Sequence, residues 1–402
     1  MLLKDVPLAR KSIDIDKVIS VSKRARATLL EVRDRMLEPH PRKTPPVISS
    51  TRLMQLLDVD RSRFNYLIQK GEIPNGIIKG SNRGREFLLA VVQDTVRRLV
   101  PERLRPPGAP GMTLCVGNFK GGVGKTTLAV ALAQGLSLHG HKVCMMDLDP
   151  QASTTTLFGK VPEAEVEESE TVMPLVYGDV ETLAGVPQET YWPGIDLIPS
   201  APYLFGADYF LPSRQADDPS FEFWELLNGA MDPLRDKYDV IIIDTPPTLS
   251  YLATAAFMAS DGMIVPVPPE ALDYASSTMF WGQFAELFAS LRDSRKLSKT
   301  FDFVKIVLSK VKAKKVKDRM DATDATRSLL QHTYPEFIGR CELPVSDVVS
   351  NAAAEFRTLY DLSSYAGSAK AVAAFDAFVE EIELEMLETW KSVQEEVTDG
   401  VS

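Results

Sequence analysis

Cysteine and histidine are scarce in this chain, with three and four in 402 residues. Cys115, Cys144 and Cys341 offer no disulfide framework, and His40, His139, His141 and His332 show no metal-ligand spacing. A disulfide-stapled secreted module and a His/Cys metal centre are therefore not expected. No apolar run approaches the ~20 residues of a membrane-spanning helix. Lys4, Asp5, Arg10 and Lys11 leave no room for the apolar core of a signal peptide. What remains is the composition of a soluble, intracellular protein. At 402 residues it is too long for one comfortable core, so two domains or more are expected.

Positive charge is scarce in most of the chain but not in all of it. Residues 1–111 hold 22 basic and 12 acidic side chains, a balance of +10, whereas the rest holds 23 against 43, a balance of −20. Such a division suggests a basic module that meets nucleic acid, attached to an acidic enzyme. The boundary is the stretch 101–111, where Pro101, Pro106, Pro107, Gly108, Pro110 and Gly111 read as a stiff linker.

The sequence does contain Lys120-Gly121-Gly122-Val123-Gly124-Lys125-Thr126-Thr127. The apolar run Met112–Val116 leads in, and Leu128, Ala131, Leu132 and Leu136 lead out at helical spacing. That is the order of strand, glycine loop and helix in which backbone N–H groups cradle phosphates. In such a loop Lys125 sits on the β- and γ-phosphates and Thr126 ligates Mg²⁺. The strict phosphate-loop pattern asks for glycine where Phe119 stands, and a second lysine, Lys120, follows it. Two ammonium groups in one loop repel unless phosphate oxygens neutralise both. The plain alternative is that Lys120 points into solvent.

Asp147-Leu148-Asp149-Pro150-Gln151 ends the apolar run Val143–Met146. Carboxylates at the C-terminal end of a parallel strand lie where open α/β sheets bind ligands, although alone they read as a turn with a helix cap. Further on, Val240–Ile243 are four β-branched residues suited to a strand buried on both faces. Asp244 stands at its carboxyl end, and Thr245-Pro246-Pro247 begins the loop that follows. Asp261–Pro269 reads as the next strand, with Pro268 and Pro269 at its exit. A Pro-Pro pair is equally a strand terminator.

Together these motifs resemble the deviant Walker A ATPases, the family of ParA, MinD and the nitrogenase iron protein. The resemblance implies an α/β fold, a doubly wound and mainly parallel sheet. It implies that ATP or ADP is held by Lys120, Gly121, Gly122, Val123, Gly124, Lys125, Thr126, Thr127 and Asp147, with Pro268 and Pro269 lining the adenine pocket. Mg²⁺ falls to Thr126, Asp244 and Asp147. Lys120, Lys125 and Asp149 are catalytic: Asp149 helps position the attacking water, and Lys120 crosses a homodimer interface to the partner's ATP, so that two ATP molecules are sandwiched.

A MinD-like membrane ATPase would end in a basic amphipathic helix. Residues 370–402 hold only Lys370 and Lys391 against nine acidic side chains, so no membrane partner is expected. The nitrogenase iron protein needs cysteines in interface loops, and Cys115 and Cys144 fall in strands. The resemblance narrows to the larger ParA partition ATPases, placing the ATPase in residues 112–402. It implies Mg-dependent hydrolysis of ATP to ADP and phosphate, non-specific DNA binding by the ATP-bound dimer, stimulation by a ParB-type partner and a cytoplasmic, nucleoid-associated protein. The competing class is a nucleotide-responsive transcriptional regulator.

The basic module divides again. Residues 1–40 carry an amphipathic helix (Ile15, Val18, Ile19, Leu29, Leu30, Met36) that ends by Pro39 and is a candidate for dimerisation. Residues 47–100 resemble a MerR-like winged helix-turn-helix. Ser50–Leu57 and Arg61–Lys70 are its helices, with Asp60 and Gly71 as caps and Leu53, Leu56, Phe64, Leu67 and Ile68 as the shared core. Arg61, Arg63, Asn65 and Tyr66 then face DNA, and Arg83 and Arg85 lie in the wing between Ile77–Lys79 and Glu86–Leu89. The alternative is a docking domain with a solvated basic face. In the ATPase half, Lys310, Lys312, Lys314, Lys315, Arg340 and Arg357 form a second candidate DNA surface, operator repression belonging to the winged helix.

Overall fold

The computed structural model describes residues 13–36, 43–79, 84–312, 322–362 and 369–399. It divides into two units, Met1–Lys43 and Thr44–Ser402. The first is described by α1 (Ile15–Met36), whose Ile15, Val18 and Ile19 are exposed. Pro39 lies outside the described residues.

The second unit begins with β1 (Val47–Ser49), α2 (Ser50–Leu56), α3 (Arg61–Gln69), β2 (Ile77–Lys79), β3 (Gly84–Leu88) and α4 (Leu89–Leu99). Asp60 Oδ1 accepts the Arg63 N–H at 2.7 Å, an N-cap that satisfies one of the open donors at the start of α3. Gly71 follows α3 at φ +76°, the left-handed geometry of a helix stop. Leu53, Leu56, Phe64, Leu67 and Ile68 are all buried, as their helical spacing requires. The hairpin of β2 and β3 gains a third strand, since β1 pairs antiparallel with β3. Leu89, expected at the end of a strand, instead opens α4.

The remaining strands are β4 (Met112–Val116), β5 (Val143–Asp147), β6 (Gln188–Glu189), β7 (Ile195–Ile198), β8 (Val240–Asp244), β9 (Gly262–Val267), β10 (Phe303–Val311) and β11 (Ile338–Pro344). They form one sheet in the order β11-β10-β9-β4-β8-β5-β7-β6, parallel throughout except for β6. Central strands β4, β5, β8 and β9 are buried at every position, the consequence of helices on both faces. Cys115 and Cys144 lie in them as small apolar side chains, and burial pushes both thiols up. The helices used below are α5 (Lys125–Leu138), α6 (Ser153–Leu157), α7 (Ala207–Asp217), α8 (Tyr251–Ala259), α9 (Ala271–Arg295), α10 (Ala322–Thr333), α11 (Asp347–Ala354) and α12 (Ala369–Asp399).

Helix α5 is apolar almost all round because α12 covers the side that the sheet does not. The two approach so closely at Gly135 that a Cβ there would lie 2.4 Å from Val379 Cγ2. His139 and His141, at the far end of α5, hold Glu383 of α12 between them at 2.9 Å each. No helix among the described residues is long and apolar enough to cross a membrane. The stretch 101–111, expected as a linker, lies against the sheet domain. Arg105 Nε pairs with Asp239 Oδ1 at 3.1 Å, and Trp390 Nε1 donates to the Pro110 carbonyl at 3.0 Å.

Candidate nucleotide site

Strand register gathers the site. Val116 of β4 and Asp147 of β5 both lie opposite Asp244 of β8, so the glycine loop and two carboxylates leave the sheet at one edge. That edge is the carboxyl end of parallel strands, where open α/β sheets bind ligands. Gly122 and Gly124 take φ +74° and +100°, conformations that a side chain would strain and that turn the chain into α5. Asn118, buried, props the loop from behind. Its Nδ2 donates to the Pro266 carbonyl at 2.9 Å, and its Oδ1 accepts the Lys120 N–H at 2.9 Å. Phe119, the departure from the strict pattern, packs on Phe280 at 4.7 Å and Phe257 at 6.1 Å between ring centroids. It anchors the front of the loop to α8 and α9, a role its sequence position alone did not reveal.

Lys125 Nζ donates to the Lys120 carbonyl at 3.0 Å. Burial lowers its pKa, while the nearby Asp244 and Asp149 act to raise it. Thr126 Oγ1 donates to Asp244 Oδ2 at 2.8 Å, as does Thr154 Oγ1 of α6. Asp244 Oδ1 is buried without a hydrogen-bond partner. A buried carboxylate oxygen left bare beside a threonine hydroxyl at a helix N-terminus fits a divalent cation, and Thr126 and Asp244 are the residues that would hold it. Asp147 differs from expectation. Its Oδ2 accepts both the N–H (2.9 Å) and the hydroxyl (2.7 Å) of Thr155, and its Oδ1 accepts the Asp149 N–H at 3.2 Å. Asp147 thus organises the turn that carries Asp149, and, like Asp244, it is not among the residues that line the cavity. Asp149 lines the cavity, with Oδ1 accepting the Gln151 N–H at 2.9 Å.

That cavity, about 790 Å³, runs from the glycine loop to the exits of β10 and β11. Ser309, Lys310, Pro344, Val345, Ser346 and Phe356 wall its far side. Pro268 and Pro269, expected at the adenine pocket, are buried at the exit of β9 and are absent from this lining. Strand β9 lies between β4 and β10, whose exits line the cavity, but its own exit does not reach the lining. Thr154, Thr155 and the β11 exit went unread in the sequence. The threonine run 154–156 just past the carboxylate pair was the available signal for the first two.

Lys120 Nζ pairs with Asp273 Oδ1, in the first turn of α9, at 2.6 Å. The candidate DNA residues are dispersed. Arg61, Arg63, Asn65 and Tyr66 share the exposed face of α3, with the Arg63 guanidinium 5.2 Å from the Tyr66 ring centre. Arg85 is half-buried and reaches Asn75. Arg83, Lys314 and Lys315 lie outside the described residues. Lys310 is turned to the glycine loop, and Lys312 pairs with Glu270 at 2.7 Å. Arg340 and Arg357 are exposed, the first on edge strand β11 and the second just past α11.

A family model described as an AAA domain matches residues 111–330. The candidate replication protein A of Sinorhizobium fredii is 28% identical over 342 residues, covering 81% of each chain. A virulence-plasmid ParA family protein of Chlamydia psittaci is 33% identical over 159 residues, 39% of this chain and 57% of that one. A solved structure named Partition Protein superposes with a TM-score of 0.63 at 20% identity, over 94% of this chain and 99% of the other.

Proposed function

Since this chain belongs to the ParA family of P-loop proteins, we propose that it is an ATPase that partitions plasmid or chromosome DNA. The observation that carries this reading is the meeting of Lys125, Thr126 and Asp149 on one ligand-sized cavity, with Asp244 bonded to Thr126 behind it and one of its buried oxygens bare. ATP enters with its phosphates on the loop 121–127 and its base toward Pro344 and Val345. Thr126 and Asp244 would hold Mg²⁺, which would supply positive charge to the phosphates. Lys125 neutralises phosphate oxygens, and Asp149 orients the attacking water, its turn held by Asp147 and Thr155. Catalysis of this kind is positioning and charge neutralisation, with no covalent step on the protein.

Lys120 reaches the ATP of a second copy, so that two ATP molecules lie between two subunits, and that state binds DNA without sequence preference. A ParB-type partner stimulates hydrolysis and releases it. The exposed face of α3 enters the major groove of an operator, and α1, with its bare apolar positions, pairs with another copy. The relative named for replication and the relative named for the ParA family both fit a replicon-maintenance role. The test is binding to random-sequence DNA without nucleotide, with ADP, and with ATP plus Mg²⁺ across a salt series. Salt-sensitive binding only with ATP supports partition. Binding to one defined site whatever the nucleotide would favour the regulator.

A further inference from the structure

The exit of β10 is built into the phosphate loop. Ser309, buried, donates its hydroxyl to the Val123 carbonyl at 2.9 Å, and Lys310 Nζ donates to the Gly122 carbonyl at 2.5 Å. Lys310 holds φ +52°, a left-handed conformation that a long side chain adopts only when its surroundings impose it. Here it turns the ammonium back over the loop and into the wall of the cavity.

Lys310 shares the field of Glu270 with Lys312 and Lys120, but its own hydrogen bond goes elsewhere. Lys120 has Asp273, Lys312 has Glu270, and Lys125 lies in the field of Asp244 and Asp149. Lys310 is hydrogen-bonded to a neutral carbonyl, an acceptor much weaker for an ammonium than a phosphate oxygen. Lys125 is in the same position, resting on the Lys120 carbonyl. We propose that Lys310 is a nucleotide ligand, exchanging the Gly122 carbonyl for a phosphate oxygen when ATP or ADP binds, and that it governs nucleotide affinity and not DNA contact. Lys310 thereby leaves the candidate DNA surface. The inference rests on the reading of the glycine loop as an ATP site.

The test is equilibrium binding of a fluorescent ATP analogue and of ADP to the wild type, Lys310→Asn and Lys312→Gln. Asparagine tolerates the left-handed backbone, and Lys312→Gln removes one charge from the same strand end. The loss of one charge-assisted hydrogen bond weakens both nucleotides roughly tenfold in Lys310→Asn, with Lys312→Gln near wild type and unfolding midpoints unchanged. Binding to random-sequence DNA at saturating ATP is then the same in Lys310→Asn as in the wild type. Wild-type nucleotide affinity in Lys310→Asn, or an equal loss in Lys312→Gln, overturns the proposal. So does weakened DNA binding by Lys310→Asn at saturation. A wild type that binds no nucleotide sinks the ATP-site reading itself, which separates the two failures.

Discussion

Burial holds the Asp244 carboxyl at about 6, well above its ordinary range, against hydrogen bonds from Thr126 and Thr154 and the charge of Lys125. A carboxyl raised in the folded state binds more protons folded than unfolded, so stability falls as pH rises from its unfolded value to about 6. Ionised Asp244 therefore destabilises the ligand-free protein at neutral pH, by on the order of 1–3 kcal/mol. Asp244→Asn is expected to raise the unfolding midpoint at pH 7 and flatten its rise on acidification, while abolishing Mg-dependent ATP affinity. A mutant with an unchanged pH profile would contradict this account of the carboxyl. Lys125, Thr126 and Asp244 were legible in the sequence because each stands at a fixed step from a glycine or a β-branched run. Asn118 and Thr154 were not, since their partners, the Pro266 carbonyl and Asp244, lie far along the chain and meet them only through the sheet.

Elements with a strong period were read closely. Helices α2 and α3 carry their caps and buried positions in local spacing, and β8 is four β-branched residues long before its acid. Strand β1 is three residues and borrows its pairing from β3, and β10 interrupts its apolar run with Lys305 and Lys310, so neither stood out. The exposed basic face of α3 predicts that Arg61→Ala with Arg63→Ala lowers operator affinity and leaves ATP hydrolysis intact. Footprinting and phosphate-release assays on the same preparation decide it. Helix α12 is tied differently. Burial would raise the Glu383 carboxyl, but hydrogen bonds from His139 and His141 outweigh it and hold the group down at about 2. That depression stabilises the fold above the unfolded value of a glutamate and is lost as pH falls toward 2. Glu383→Gln should cost about 3 kcal/mol in urea unfolding, because two buried imidazoles lose a charged partner. A cost under about 1 kcal/mol, the range of exposed pairs, would mean that the apolar seam of α5 and α12 alone holds the helix.

At the scale of the whole molecule, residues 47–100 and the sheet domain belong to one compact unit. Arg52 of α2 grips Asp376 of α12 through two 2.6 Å hydrogen bonds, one residue beyond Phe375 in the wall of the nucleotide cavity. Composition showed the charge division but could not show this docking, which depends on single pairs made across the sheet domain. The state of Lys120 bears on assembly. Its ion pair with Asp273 lies within one chain and is partly shielded from water, so Lys120 must exchange that carboxylate for phosphate before it can reach a second copy. Phosphates carry more charge than one aspartate, so ATP in a facing subunit favours the exchange. With α1 deleted from both proteins, Lys120→Gln should therefore stay monomeric with ATP and Mg²⁺ at concentrations where the parent that keeps Lys120 doubles its mass by light scattering. Asp273→Asn, which frees Lys120, should dimerise at lower ATP concentration than the wild type. ATP-dependent doubling by Lys120→Gln lacking α1 would remove Lys120 from the interface and with it the sandwich arrangement.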